Sequence, residues 1–474
     1  MKNVGLIAKN EFRLLVKGMR FRVFSVLALI LILLSAIGGY TSYQSIKRER
    51  QLAQQEVRSS WLNQEEKNPH AAAHYGTFVF RPKSILSFFD YGVDTYVGNS
   101  IFLEAHRQND SKFSAASESS SNIRFGEMSL AFILQVLIPL MIIFLGFNLV
   151  TQEKEGKTLR LVLSQGIALR EVAWGKTLGL FTAIIILVLP ALLVLIFVGQ
   201  LNIDLDGQKD FYQRLTLISL FYFLYLFLIS AISIYVSSIS KSSRDALLSL
   251  LGLWIMVCLL IPKVSANLGV SINKAPSAFE FRQEIAKDEE NGIDGHNPSD
   301  KRFERLKDSI LLAYKVKAVE ELPINFNAVA MQEGEKYSSM IYNKHFNHLK
   351  QAYEKQNLVS AYASLINPYL AVRNISMALS GTDMLNAIEF DRQAEAYRFR
   401  MVEFLNNYLR DFSLTGQWDK KAGKDIYKSI PDFQFQAITV STVLKNSLIA
   451  VLSFIIWIGI IFILVSRLND QKNI

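Results

Sequence analysis

The amino-acid sequence predicts an all-α polytopic membrane protein, with six transmembrane helices and a mostly helical extracytoplasmic domain built from two insertions. Of the 474 residues, 50% are hydrophobic and only 20% are charged, whereas a soluble chain carries about 25% charge. The charge is missing from six long runs, most of which reach the roughly 20 residues that a helix needs to cross a bilayer. The composition therefore excludes a soluble enzyme, a fibrous chain and a disordered chain.

The uncharged runs define the predicted spans. They are Val23–Ile46, Met128–Gln152, Thr177–Ile203, Leu215–Ser240, Ala246–Pro262 and Asn446–Ser466. We predict transmembrane helices at residues 23–46, 127–150, 177–200, 214–238, 246–264 and 446–466. Residues 1–22 place apolar side chains at helical spacing among basic ones, which is typical of an amphipathic helix at a membrane interface. Pro139, within the second run, is expected to kink or hinge its helix.

Basic residues in the short segments predict the orientation, because Lys and Arg collect in cytoplasmic loops. Such residues are frequent in segments 1–22 and 151–176, and two more lie in the tail, 467–474. We therefore expect both termini in the cytoplasm and two extracytoplasmic insertions, at 47–126 and 267–440. The net charge of +9 fits basic cytoplasmic loops, so no nucleic-acid partner is expected.

The two insertions are patterned as folded structure. Apolar side chains recur at spacings of three and four within residues 327–356 and 386–412, which predicts two packed helices. Residues 75–80 favour a short strand. The single cysteine, Cys258, excludes a disulfide within the chain, so the outer domain must be held together by packing.

Two tripeptides, Gly156-Lys157-Thr158 and Gly175-Lys176-Thr177, superficially suggest nucleotide binding. A phosphate-binding loop also needs a glycine five residues before the second one, and those positions hold Thr151 and Arg170. The chain is therefore expected to be no enzyme and to bind no nucleotide cofactor. Any ATP use would come from a partner.

The segment after the second span has the pattern Glu153-Lys154-Glu155-Gly156-Lys157-Thr158-Leu159, followed by Leu163-Ser164 and Gly175-Lys176. It resembles the type-2 ABC-transporter permeases, although Lys157 is an extra residue in the motif and Gln165-Gly166 replaces a proline. The resemblance implies that 151–176 is the cytoplasmic coupling region, which docks on a separate ATPase that binds ATP and Mg²⁺. The coupling residues it implies are Glu153, Glu155, Gly156, Thr158 and Leu159.

The outer segments resemble one branch of that family, which has large insertions after the first and fifth spans. The matching stretches include Asn68–Thr77, Phe80-Arg81-Pro82, Glu104–Asn109, Leu322–Phe326 and Ala394–Arg398. This branch is often labelled as permeases for the maturation of multicopper enzymes. The resemblance implies a permease subunit in a bacterial cytoplasmic (inner) membrane, paired with a second copy or a related permease into a dimer of twelve helices, and export as the direction.

All six histidines lie in the outer segments. His70 and His74 are four residues apart, a spacing shared by many metal pairs on helices. No acidic residue completes a His-Glu-x-x-His site, so no metal is expected. If an extracytoplasmic site exists, its candidates are His70, His74, Glu104 and His106.

Two other functions stay open from the sequence. An ABC-type complex could transmit force to an extracytoplasmic partner protein without moving a substrate across the membrane. A standalone membrane metal hydrolase or sensor could instead use the outer histidines. The uncharged runs offer no charged relay for an ion-coupled carrier.

Overall fold

The computed structural model describes residues 2–112, 128–202, 207–290 and 301–468. Within these residues, six helices are long and apolar enough to cross a membrane, which confirms the predicted fold class. Spans 1 to 6 are Met19–Asn63, Leu130–Glu155, Leu169–Asn202, Gln208–Ile239, Ser243–Ile272 and Leu448–Ser466. Span 2 is the most enclosed by the rest of the chain and span 5 the least.

An amphipathic helix, Lys2–Lys17, precedes span 1. It is shorter than the predicted 1–22, because Gly18 adopts an extended conformation and a new helix starts at Met19. The helix packs along the start of span 3. Gly175 and Gly179 permit this close approach, since a Cβ at Gly175 would lie 2.6 Å from Ile7 and one at Gly179 would lie 2.8 Å from Ala8 O.

Span 1 continues far beyond the predicted 23–46 as one helix of 45 residues, about 68 Å long at 1.5 Å per residue. Its C-terminal end docks into the domain formed by the two predicted insertions, which we call the outer domain. Trp61 is buried there and its indole N–H donates to Tyr427 O at 3.1 Å. Arg58 forms an ion pair with Asp432 at 3.1 Å. One continuous helix thus joins the end of the bundle that carries the N-terminal helix to the outer domain.

Spans 2 and 5 each contain one π-helical turn, at Ile133–Leu137 and Met256–Leu260. Each turn is followed by the same Ile-Pro pair, at Pro139 and Pro262. A proline ring cannot donate a backbone hydrogen bond and displaces the carbonyl of the preceding turn, so the helix widens locally. Near Pro139, where the sequence predicted a kink or hinge, the structure shows this π-helical turn.

Side chains from neighbouring helices donate to carbonyls in these two turns, as expected where irregular backbone lies within a membrane bundle. Tyr225 donates to Gln135 O at 2.9 Å and Trp254 donates to Val136 O at 3.1 Å. In span 5, Asn367 donates to Val257 O at 2.8 Å. The widened turns are therefore stabilised by tertiary hydrogen bonds.

The outer domain is mostly helical, as predicted. The helices of the two insertions and of the segment before span 6 are Pro69–Tyr75, Ala278–Glu289, Lys301–Tyr314, Phe326–Ala363, Pro368–Ser380, Met384–Phe412, Lys424–Ser429 and Val440–Asn446. The first insertion also forms an antiparallel pair of strands, Thr77–Phe80 and Ser100–Leu103, with Thr77 opposite Leu103. The predicted strand at 75–80 and helices at 327–356 and 386–412 are present with shifted ends.

Helix Pro368–Ser380 lies among the spans, although the sequence assigned the whole of 267–440 to the outside. Ala371, Val372 and Ile375 are buried in the same apolar core as the membrane helices. Its C-terminal end is held by Arg214, which is buried at the start of span 4 and donates to Leu379 O at 3.1 Å. The second insertion is thereby anchored in the bundle.

Candidate functional site

The predicted coupling region contains the end of span 2, one short helix after it, and the start of span 3. Thr151–Glu155 ends span 2, and Thr158–Ser164 follows after a turn at Gly156 and Lys157. Lys157 has a φ of 57°, a left-handed conformation that redirects the chain within one residue. Thr158 stabilises the turn by donating its hydroxyl to Glu153 O at 3.2 Å. We call helix Thr158–Ser164 the coupling helix.

The two predicted acidic residues bond other parts of the chain. Glu153 accepts from Lys176 Nζ at 2.8 Å, and the same ammonium donates to Glu11 at 2.7 Å. Glu11 and Lys176 are both buried. Glu155 accepts from the backbone N–H of Ser243 at 2.7 Å and from its hydroxyl at 3.0 Å. The coupling region is therefore tied to the N-terminal helix, span 3 and span 5.

The remaining predicted residues differ in their exposure. Gly156 and Thr158 are exposed, but Leu159 is only 1% exposed and packs into the core of the bundle. The apolar side chain that the coupling helix presents outward is Leu161, at 65% exposed, beside the exposed Arg160. Helical geometry explains this, because residues two apart point to nearly opposite faces.

A second candidate site lies in the outer domain, where three histidines meet. His70 and His74 are one turn apart on helix Pro69–Tyr75, and His106 follows strand Ser100–Leu103. The Nε2 atom of His70 lies 3.1 Å from that of His74 and 3.3 Å from that of His106. One ring nitrogen from each residue lies within 4.8 Å of the others. We call these residues the histidine cluster.

Two of these rings are oriented by groups behind them. His70 Nδ1 lies 2.9 Å from Asn406 Oδ1. His106 Nδ1 lies 3.2 Å from Glu335 Oε2, and the backbone N–H of His106 donates to the same oxygen at 2.7 Å. The φ of His106 is 63°, so the backbone adopts an uncommon left-handed conformation at this residue.

Glu335 is itself fixed by a buried ion pair. Its Oε1 atom lies 2.5 Å from Arg398 Nη1, and the guanidinium also pairs with Glu395 at 2.7 Å. Burial alone would raise the pKa of Glu335, but the hydrogen bond from His106 and the positive charge of Arg398 lower that pKa to about 2. Glu335 is thus a carboxylate at neutral pH and accepts hydrogen bonds only.

The structure brings together three of the four extracytoplasmic candidates. Glu104 is not part of the cluster, since its carboxylate accepts from Asn109 at 2.9 Å and its carbonyl accepts from Arg398 at 3.1 Å. Sequence reasoning missed Glu335 and Asn406, which lie 229 and 336 residues along the chain from their histidines. Local spacing carries no signal over such separations.

Comparison with known families bears on the membrane part of the chain. The family described as ABC-2 family transporter protein matches residues 97–279, a range that contains spans 2 to 5 and the whole coupling region. Over these residues the chain matches the type-2 ABC permeases, and the match supports a permease subunit. The family implies an ATPase partner and embedding in a membrane.

The outer part of the permease matches a second family, described as a domain of unknown function (DUF3526), over residues 278–436. This range covers most of the second insertion and includes Glu335 and Arg398, but it contains no member of the histidine cluster. A comparison with curated proteins finds no match. The transporter match covers spans 2 to 5 and the end of the first insertion, and of the histidine cluster it contains only His106.

Proposed function

We propose that the permease is the membrane subunit of an ATP-driven exporter, in which a separate ATPase docks on residues 151–176. The proposal is supported by the fact that the coupling region is both exposed on one side and bonded to the rest of the bundle on the other. It presents Gly156, Thr158 and Leu161 outward, and it is bonded through Glu153 and Glu155 to other elements of the bundle.

The contacts indicate how a movement of the ATPase would be transmitted to the membrane helices. Movement of the ATPase against Leu161 would displace the coupling helix, whose buried Leu159 packs into the bundle. The Glu153–Lys176–Glu11 ion pairs would pass that displacement to span 3 and to the N-terminal helix. The Glu155–Ser243 hydrogen bonds would pass it to span 5. The π-helical turns before Pro139 and Pro262 are the places where spans 2 and 5 can bend.

A permease of this type requires partners. ATP and Mg²⁺ are bound by the ATPase, and a second copy or a related permease completes a unit of twelve helices. Span 5 is only 11% buried within the chain, which leaves most of its surface available to that second permease or to lipid. In this arrangement both termini are cytoplasmic and the outer domain lies beyond a bacterial inner membrane.

The test is co-purification of the tagged full chain, expressed at native level and extracted in mild detergent. An ATPase subunit should be recovered near one-to-one. Leu161→Asp should abolish that recovery, because it puts a charge on the apolar contact of the coupling helix. Leu52→Asp is the matched control, since Leu52 is similarly exposed, at 57%, but lies on the outer extension of span 1. Recovery of no ATPase with a folded wild-type chain would contradict the proposal.

One observation favours a second candidate, in which the complex transmits force to an outer partner without transport. The 45 residues of span 1 form one uninterrupted helix from the N-terminal helix to Trp61 in the outer domain. A rigid helix of that length can act as a lever. Reconstituted vesicles distinguish the two candidates, because force transmission predicts ATP hydrolysis without net movement of any small molecule or lipid.

A further inference from the structure

We propose that His70, His74 and His106 bind one divalent transition-metal ion in the outer domain. The spacing of the ring nitrogens is the first argument. A tetrahedral ion with metal–nitrogen bonds of about 2.0–2.1 Å holds its ligands about 3.3 Å apart. Two of the three Nε2 separations, 3.1 Å and 3.3 Å, match that value, and the ligand atoms of all three residues lie within 4.8 Å of one another.

The hydrogen bonds behind the rings give the second argument. Glu335 Oε2, on a carboxylate held by the Arg398 ion pair, lies 3.2 Å from Nδ1 of His106 and accepts from the backbone N–H of the same residue, so the ring turns its Nε2 atom toward the cluster. Asn406 Oδ1 lies 2.9 Å from Nδ1 of His70 and orients that ring in the same way. The Nε2 atoms of the two rings therefore face each other across 3.3 Å, and a neutral imidazole can offer such a nitrogen to a cation.

The groups that hydrogen-bond to the histidine rings resemble those found at established metal sites. Metal-binding histidines usually donate their second ring N–H to a carboxylate or an amide oxygen, which orients the ring and raises its basicity. Here Glu335 fills that role for His106 and Asn406 fills it for His70. Arg398, 1% exposed, holds Glu335 in place. The buried Glu335–Arg398 ion pair fixes the orientation of His106. A pair of histidines on an ordinary surface would not require such a fixed orientation.

The donor set selects the class of metal. Three imidazoles without a thiolate suit zinc, copper or nickel, whereas calcium and magnesium require oxygen ligands. His74 is exposed and His106 partly exposed, while His70 is buried. One side of the site therefore faces water, which leaves a coordination position for a solvent molecule or for exchange of the ion. The inference is independent of the ATPase-driven function proposed above.

The experiment uses the full chain in detergent, stripped with a chelator and then titrated with Zn²⁺. Wild type should retain one equivalent after desalting, measured by elemental mass spectrometry, and should gain thermal stability on binding. His74→Ala should bind at least tenfold more weakly. It should still fold, because His74 is exposed. His348→Ala is the control, since that histidine is also exposed on an outer helix and should leave binding unchanged.

A second variant separates positioning from ligation. Glu335→Gln retains the size of the side chain but weakens the acceptor behind His106, so affinity should fall by about 10- to 100-fold. Wild type that retains no zinc would overturn the proposal, as would equal losses in His74→Ala and His348→Ala. Stabilisation of the stripped protein by acid, with no response to Zn²⁺, would identify a shared proton instead and would also overturn it.

Discussion

Lys176 Nζ lies 2.8 Å from Glu153 Oε1 and joins the coupling region to the start of span 3. The same ammonium lies 2.7 Å from Glu11, on a helix that the chain reaches 165 residues earlier. Lys176 is 4% exposed, and a buried charge of this kind is tolerated only with partners. Three elements at this end of the bundle are therefore bound to one another through a single side chain.

The first prediction concerns this ammonium. Lys176→Met should destabilise the permease by about 3–5 kcal/mol, because it leaves two carboxylates without their shared cation. Thermal and denaturant unfolding in detergent measure the change. Adding Glu11→Gln should restore part of the loss, since one buried charge is then removed. A cost below about 1 kcal/mol for Lys176→Met, the range of a surface pair, would contradict the described contacts.

The second prediction tests how the N-terminal helix is seated. Gly175→Val should weaken its packing on span 3, because a Cβ at this position would lie 2.6 Å from Ile7. Overpacking of this kind costs about 1–3 kcal/mol. Limited proteolysis near Gly18 should become faster as the helix detaches. Gly38→Val is the control, since nothing lies within 4 Å of a Cβ there; equal effects of the two changes would count against the packing described.

The third prediction compares two arginines on helix Met384–Phe412. Arg398→Ala should destabilise the outer domain by about 3–5 kcal/mol, because Glu335 and Glu395 would be left as buried charges. Arg392→Ala should cost no more than about 1 kcal/mol, since Arg392 and Glu389 form an exposed i,i+3 pair. Thermal unfolding of both variants provides the comparison, and similar midpoints would refute the buried network.

The fourth prediction concerns pH. Burial raises the pKa of Asp90, despite hydrogen bonds from the Ser376 hydroxyl at 2.5 Å and from the N–H of Gly92 at 3.1 Å. The folded state therefore favours the protonated carboxyl. Its stabilising contribution is present below the ordinary carboxyl pKa and is lost as pH rises through the raised value.

Asp90→Asn removes this titration while retaining a side chain of the same size. Its unfolding midpoint should decline less than that of the wild type between about pH 4 and about pH 7. Asp411→Asn is a suitable control, because the pKa of Asp411 is lowered by its hydrogen bond with Arg410 rather than raised. A wild type and an Asp90→Asn variant with parallel pH profiles would contradict the assignment.

Much of the fold could be predicted because it depends on local patterns. Uncharged runs of membrane length identified all six spans, and spacings of three and four residues identified the helices that became Phe326–Ala363 and Met384–Phe412. The same reasoning placed Pro368–Ser380 outside the bundle. Arg373 interrupts its apolar sequence, and local charge could not reveal that the spans would enclose this helix.

The candidate sites were predictable to different degrees. His70 and His74 share a helix turn, so their proximity follows from spacing alone, whereas His106 joins them only through tertiary packing. In the coupling region, the family resemblance implied Leu159 as a coupling residue. The helix turns that side chain inward and presents Leu161. The coupling helix has only seven residues, which is too short for its periodicity to show which face is buried. The neighbouring helices determine that face.

The central claim is that an ATPase docks on the coupling helix, and a crosslink from Leu161 tests it most directly. Cys258 is the only cysteine, so Leu161→Cys in a Cys258→Ser background provides one defined thiol. In native membranes, a short bifunctional reagent should join this thiol to an ATPase subunit, with a yield that changes when ATP is added. Leu52→Cys should give no such product. A folded Leu161→Cys protein that forms no ATPase adduct, or forms no more than Leu52→Cys, would contradict the account.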